Sequence, residues 1–268
     1  MSGLEIRGLG LELGGRRILD GVDLSVPGGR VTGLAGESGS GKTMTGLAVL
    51  GLQPAGSRRS GAVAWSDGEG RERDLLALRP RALNALRGRR IAMVFQDPSA
   101  SLHPMLSIEA QLTDHLRHHL RLNRRDARAR AVGLLERVRV PEPEAALRRY
   151  PHQFSGGQLQ RIAIAIAIAC EPTVLIADEP TTALDVTVQA GVLRLLRELT
   201  DDLGLAVLLV THDLGVMSAV ADRIAVMRDG RVVEEGDRYQ VIREPRTDYA
   251  RELVESLPST PPPGAGAP

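Results

Sequence analysis

Gly36-Glu37-Ser38-Gly39-Ser40-Gly41-Lys42-Thr43 is the stretch from which the fold can be read. The apolar run Val31–Ala35 leads into it and the helix-forming run Met44–Leu50 continues from it, so the order is strand, glycine-rich loop, helix. Glycines let successive backbone N–H groups turn inward on phosphate oxygens, and the start of the helix adds the positive end of its dipole. In that setting Lys42 reaches the β- and γ-phosphates of a nucleotide and the Thr43 hydroxyl binds Mg²⁺. A glycine turn alone is weak evidence, whereas the full spacing between strand and helix points to a phosphate cradle.

The chemistry that such a cradle needs next lies far along the chain, where Val174-Leu175-Ile176-Ala177 runs into Asp178-Glu179. An unbroken apolar run of this kind is a strand buried on both faces, and its C-terminal end is where ligands bind in open α/β sheets. Asp178 is placed to hold the Mg²⁺ shell, and Glu179 to orient or deprotonate a water in line with the γ-phosphorus. Two acids after a strand are often only a polar turn. Beside the phosphate loop they point to hydrolysis.

Around these two motifs the N-terminal third reads as short β-rich pieces, Leu4–Leu9, Val22–Val26, Val31–Ala35 and Ala62–Trp65. From Ile108 to about Val138 apolar residues recur at three and four positions, the helical period. After Pro172 strands and helices alternate through Val174–Ala177, Val188–Leu199, Ala206–Val210, Leu214–Ala221 and Ile224–Met227, which implies a parallel sheet covered by helices. Ile and Ala alternate over Ile162–Ala169, but both are apolar, and Ser155 as N-cap with Pro172 beyond favours a buried helix. The tail Pro258–Pro268, almost wholly Pro, Gly, Ala, Ser and Thr, is expected to be disordered.

Composition sets limits on function. The 268 residues are 43% hydrophobic and 25% charged, within the range of soluble globular chains, and the net charge of +1 gives no global attraction to nucleic acid. The Arg-rich Leu120–Arg130 reads as a solvated helix face. A single cysteine, Cys170, excludes an internal disulfide and a cysteine-built zinc site and fits a reducing compartment. No N-terminal leader and no apolar window of membrane-spanning length is expected, so a membrane role has to come through a partner. His115, His118 and His119 are read as an exposed helix face rather than a metal site, because Arg117 adds positive charge and no carboxylate is near.

At Phe154-Ser155-Gly156-Gly157-Gln158 the chain resembles the signature motif of ATP-binding cassette (ABC) proteins, a second anion site at a helix start. Further resemblances follow in the cassette's order: Gln96 in Val94-Phe95-Gln96-Asp97-Pro98 looks like the Q-loop, Thr182-Ala183-Leu184-Asp185 like the D-loop, and His212 in Thr211-His212-Asp213 like the switch histidine. The likeness covers about residues 3–236. It implies an α/β fold, a P-loop NTPase cassette with a RecA-like core, an N-terminal antiparallel β portion and a helical subdomain. The expected units are 1–96 with 170–236 as the core, 97–169 as the helical subdomain, 237–257 as a C-terminal extension and 258–268 as the tail.

The resemblance also implies roles. ATP and Mg²⁺ are the expected cofactors, with Glu179, His212 and Gln96 catalytic and with Thr43, Gln96 and Asp178 around the metal. Nucleotide contacts are carried over to Gly36, Glu37, Ser38, Gly39, Ser40, Gly41, Lys42, Thr43 and Asp178, and, across a dimer, to Ser155, Gly156, Gly157, Gln158 and Asp185. The implied partners are a second ABC ATPase subunit placed head to tail, two transmembrane permease subunits and an extracytoplasmic substrate-binding protein. Membrane contact is then only through the permease, at the cytoplasmic face of the cell membrane, and no nucleic acid is involved.

Finer features resemble the peptide/nickel importer branch: Gly36-Glu37-Ser38, Phe95-Gln96-Asp97-Pro98 followed by Ser101-Leu102-His103-Pro104, Tyr150-Pro151-His152, and the long run from Ile176 to Ala190. This implies an importer of di- or oligopeptides, with nickel or a metal chelate as the alternative cargo. A rival of another class, a non-transport ATPase of DNA repair or chromosome structure, would predict a long coiled-coil or zinc-bearing insertion or tandem cassettes. The chain departs from the branch at His103, usually Asn, and at Thr247-Asp248-Tyr249-Ala250, where the branch has His-Pro-Tyr-Thr. The C-terminal cysteine cluster of some members is missing, so no iron–sulfur centre is expected, and Leu13 stands where many cassettes place an adenine-stacking aromatic.

Overall fold

The computed structural model describes residues 2–68, 70–182 and 184–256; the expected disordered tail lies outside the described residues. Two long strands, β1 (Ser2–Leu13) and β2 (Arg16–Pro27), form a hairpin closed by Gly14-Gly15. Alternate residues of both, among them Leu4, Ile6, Val22, Leu24 and Val26, are buried, the period expected of strands with one face in a core. Strand β3 (Arg30–Ala35) then enters a second sheet and runs through the glycine loop into helix α1 (Lys42–Leu50). β4 (Arg58–Asp67) and the short β5 (Glu72–Asp74) return to the first sheet, whose order is β2-β1-β4-β5, antiparallel throughout.

Helix α2 (Pro80–Leu86) leads to β6 (Ile91–Val94), after which the chain leaves the sheets. Residues 98–168 form α3 (Pro98–Ser101), α4 (Ile108–Leu120), α5 (Arg124–Arg137), α6 (Pro143–Leu147), a single 3₁₀ turn at Pro151–Gln153, and α7 (Gly156–Ile168). The periodic stretch read as one helical block is two helices, broken where Arg121 takes a left-handed φ of 59° and Asn123 caps the next helix. The Ile/Ala run is helical, with eight of the thirteen residues of α7 buried.

The chain re-enters the second sheet at β7 (Val174–Asp178) and continues through α8 (Val186–Leu203), β8 (Ala206–Val210), α9 (Leu214–Val220), β9 (Arg223–Arg228) and β10 (Arg231–Asp237). Helices α10 (Arg238–Arg243) and α11 (Asp248–Glu255) close the described chain. The second sheet has the order β10-β9-β3-β8-β7-β6, parallel except for β10. Every side chain of β7 and β8 is buried. Val174, Ile176, Leu208 and Val210 point into a core shared with the antiparallel sheet and α1, while Leu175, Ala177, Val207 and Leu209 point into a core shared with the helices. Both faces being covered is why these runs read as unbroken apolar sequence.

Candidate nucleotide-binding site

The loop after β3 has the backbone that its sequence requires. Gly36 adopts φ 148°, and a Cβ there would collide with the Met227 carbonyl oxygen, so no other residue fits without displacing β9. Ser155 and Asp185 cap α7 and α8 with their side chains, but the N-cap of α1 is Gly41, with no side-chain cap. The first-turn N–H groups of α1 are therefore left for an anion. The Ser40 hydroxyl oxygen is buried in the same loop with no hydrogen-bond partner. The buried Lys42 ammonium donates to the carbonyl oxygens of Gly36 and Glu37, 2.7 Å each. Burial lowers the Lys42 pKa, and the charges of Glu179, Asp178 and Glu37 oppose that shift.

The acids arrive from the ends of neighbouring strands. Asp178 is the last residue of β7, and its Oδ1 accepts a 3.0 Å hydrogen bond from the Thr43 hydroxyl at the start of α1. Burial raises its pKa and the Glu179 charge adds to this, against the Thr43 bond and Lys42. Glu179 has φ 44°, a left-handed conformation that costs a non-glycine residue strain, and its N–H donates to Val210 O at the end of β8 (2.8 Å). Its two carboxylate oxygens are both engaged, Oε1 with His212 Nδ1 at 3.0 Å and Oε2 with the Thr182 hydroxyl at 2.7 Å. Burial pushes the Glu179 pKa up, but Thr182, His212 and Lys42 outweigh it and the net shift is downward. Two adjacent carboxylates are thus driven in opposite directions by their surroundings, a pattern found where neighbouring acids have different roles.

These groups fit a nucleotide with a divalent cation: an uncapped helix start, an orphaned hydroxyl, a lysine, and a hydroxyl–carboxylate pair of the hard oxygen donors that Mg²⁺ prefers. Among the described residues no group of three or more His, Cys, Asp or Glu side chains is arranged to hold a metal by itself. A Mg²⁺ shell here would rest on one carboxylate, one hydroxyl and phosphate oxygens.

The remaining residues singled out in the sequence lie elsewhere. Ser155 caps α7 in a reciprocal box with Gln158, and Gly157 lies so close to α8 that a Cβ would strike Val188 Cγ1. Asp185 caps α8 by accepting from Val188 N (2.9 Å). Gln96 lines a groove of about 300 Å³ with Gly156, Gln160, Thr182 and Leu184. Among the described residues no hydrogen bond or ion pair joins Gln96, Ser155–Gln158 or Asp185 to the loop 36–43 or to Asp178 and Glu179. Leu13, half-buried at the end of β1, pairs with Arg16, whereas it is Ile18 of β2 whose backbone flanks Gly41.

One reading of the sequence needs correction. His118 is exposed, but His115 and His119 are half-buried, and His115 lines an apolar cleft of about 250 Å³ with Gly88, Met93, Phe95 and Ala163. The helical period placed these residues on the outer side of α4, but that side faces the turn after α2. Sequence reasoning also missed two contacts with the site. The Thr182 hydroxyl on Glu179 had no local signal. The Tyr249 hydroxyl, which accepts from Glu37 N at 3.1 Å, belongs to the one residue of its C-terminal run that keeps the branch's Tyr, and nothing local tied it to the phosphate loop.

Comparison with known proteins agrees with this geometry. A family model described as ABC transporter matches residues 19–182. A Brucella abortus protein named for peptide import ATP binding is 47% identical over 240 residues, which span 90% of this chain and 71% of that protein. A glutathione import ATP-binding protein of Pectobacterium atrosepticum is 42% identical over 240 residues, 89% of this chain but 38% of the longer relative. Among solved structures, an ATP-binding cassette captured as a dimer after hydrolysis with ADP and phosphate superposes with TM-score 0.74 at 29% identity, covering 88% of this chain and 98% of that one.

Proposed function

The chain belongs to the ABC transporter family, and from that membership and the geometry of its phosphate loop we propose that it is the ATP-hydrolysing subunit of a peptide importer. It binds ATP and converts it with water to ADP and phosphate. The observation that carries the reading is the convergence on one uncapped helix start of Lys42, Thr43, Asp178, Glu179 and His212, from the ends of β3, β7 and β8. Gly36–Thr43 hold the phosphates through backbone N–H groups, Ser40 and Lys42. Thr43 and Asp178 would hold Mg²⁺, with Gln96 a further oxygen donor if its loop moves in, and the ion would supply charge neutralisation at the phosphates.

Glu179, with its lowered pKa, is ionised at neutral pH and orients the attacking water. His212 and Thr182 each take one acceptor site, one on each oxygen, which orients the carboxylate and leaves a lone pair on each oxygen for the water. Ser155, Gly156, Gly157, Gln158 and Asp185 lie apart from this cluster and are assigned to the nucleotide of a second cassette, similar or identical, packed head to tail. One chain offers two anion sites but one set of acids. The working units are 1–96 with 170–236 as the core, 97–169 as the helical part, and 237–257 as an extension.

No helix among the described residues is long and apolar enough to cross a membrane. In this proposal the importer's permease supplies the membrane contact, and the cleft at Phe95 and Leu52, with the exposed Met105 and Leu106 nearby in sequence, is assigned to it. On this reading the chain works at the cytoplasmic face, with a binding protein delivering peptide on the other side. The peptide assignment is supported by the relatives named for peptide and glutathione import. The test is Mg²⁺-dependent ATP hydrolysis and peptide uptake by the chain reconstituted with its permease and binding protein. Hydrolysis that survives Lys42→Ala, or uptake indifferent to peptides, would overturn the assignment.

A further inference from the structure

Tyr249 belongs to α11, at the far end of the chain from the phosphate loop, yet only 5% of it is exposed and its hydroxyl accepts the Glu37 N–H at 3.1 Å. The peptide unit between Gly36 and Glu37 is held from two sides. Its C=O accepts from the Lys42 ammonium at 2.7 Å, and its N–H, which points the opposite way in a trans peptide, donates to Tyr249. That peptide plane supplies one of the two carbonyl oxygens on which the lysine of the cradle rests, and Glu37, whose N–H it contains, supplies the other.

The tyrosine is itself anchored. Its ring lies under the Arg228 guanidinium, 4.6 Å from the centroid, and Arg228 precedes the turn whose Gly230 N–H donates to Ser40 O (2.9 Å). One turn before Tyr249, the buried Glu234 carboxylate of β10 accepts from Arg246 N, from Thr247 N and its hydroxyl, and from the Gln240 amide. Burial alone would raise the Glu234 pKa, and these four donors bring it down instead. Thr247 also caps α11 by accepting from Ala250 N (3.2 Å). A chain of bonds thus runs from β10 through the cap of α11 to the second residue of the phosphate loop. The rest of α11 is half-buried or exposed except Ala250, so the tyrosine is its main inward anchor.

We propose that Tyr249 is a positioning residue for ATP binding, which fixes the Gly36–Glu37 peptide, and through it Lys42, and so links the C-terminal extension to the phosphate cradle. The role is in binding rather than in the chemical step, because the bond lies on the opposite side of the loop peptide from Lys42 and touches neither Glu179 nor His212. By reciprocity, nucleotide on the loop strengthens the docking of α11. The inference rests on the phosphate loop's holding ATP.

The test is Tyr249→Phe in the full chain, which removes one oxygen and keeps the ring in its core. KM for ATP is expected to rise about fivefold with kcat within twofold, since one hydrogen bond of net value about 1 kcal/mol is lost. Hydrogen exchange at the Glu37 amide should quicken, and ADP should slow exchange in α11 in the wild type but less in the variant. Glu234→Gln, which loosens the anchor without touching the loop, is expected to raise KM in the same direction by a smaller factor. Unchanged KM and unchanged Glu37 exchange in Tyr249→Phe would overturn the proposal, as would a fall in kcat that tracks a fall in melting temperature. A wild type that does not bind ATP at all would instead remove the reading of the loop, a separate outcome.

Discussion

Glu179 carries the largest predicted effect of any residue. Its carboxylate is both hydrogen-bonded and ionised, so Glu179→Gln keeps the shape and the bond from Thr182 but gives up the negative charge. General-base contributions are typically about 10²–10⁴-fold, and a loss of turnover of that order with ATP affinity retained is expected in single-turnover and binding assays. A variant hydrolysing at near wild-type rate with permease present would remove Glu179 from that role. Leu13 is the other informative residue. If the adenine lies over it, Leu13→Tyr adds a stacking face worth about 1–3 kcal/mol, and ATP should bind several-fold more tightly and be better distinguished from GTP. Unchanged affinities in competition binding would place the base elsewhere, for example against Ile18, whose backbone lies beside Gly41.

At the scale of the element, α4 offers a prediction about pH. His115 is lowered to about 4, first by burial, then by the charges of His119 and His118, with a hydrogen bond to the Gly88 backbone acting the other way. Arg87, beside His115 in the cleft, and Arg89, next to His119, add positive charge. Between pH 6.5 and about 4 the unfolded chain holds a proton at this histidine that the folded chain refuses, so stability is full above pH 6.5 and falls as pH falls. The loss is on the order of 1–3 kcal/mol. In urea unfolding, His115→Leu should narrow the difference between pH 7 and pH 4.5. An equal difference in both proteins would show that the ring is not a buried neutral group.

The same helix shows what the sequence does and does not carry. The Ser155 cap and Pro172 beyond were enough to read α7, whose Ile/Ala alternation has no helical period, and the amphipathic run Val188–Leu199 was enough to read α8, where the structure adds the Asp185 cap. The parallel strands were legible because burial on two faces leaves unbroken apolar runs. The short pieces β5, β6, α2 and α10 gave no comparable period. The period of α4 gave its core side, Ile108, Leu112 and Leu116, but that its histidine side is covered as well depended on the turn at Gly88, 27 residues from His115 (115 − 88). Tyr249 on the phosphate loop, 212 residues from its partner, is a longer case of the same difficulty.

For the whole molecule, the signature residues and Asp185 lie outside the cluster of acids, which predicts dependence on a second cassette. The isolated chain is expected to be a weak ATPase and, without nucleotide, to sediment as a monomer. Glu179→Gln with ATP and Mg²⁺ should sediment with a cassette partner, and Ser155→Arg should abolish that association through bulk and charge at the signature. A stable nucleotide-free homodimer with full activity would count against this arrangement.

The close approach of Gly157 to Val188 has a mechanical consequence. The start of α7 and the start of α8 have no room to slide past each other, and α8 begins at Asp185. The starts of α7 and α8, and with them Ser155 and Asp185, are therefore held at a close spacing that only a glycine at 157 allows. Even one added methyl at Gly157 would have to push the two helix starts apart, a change felt in the spacing of these helices and not in the phosphate loop.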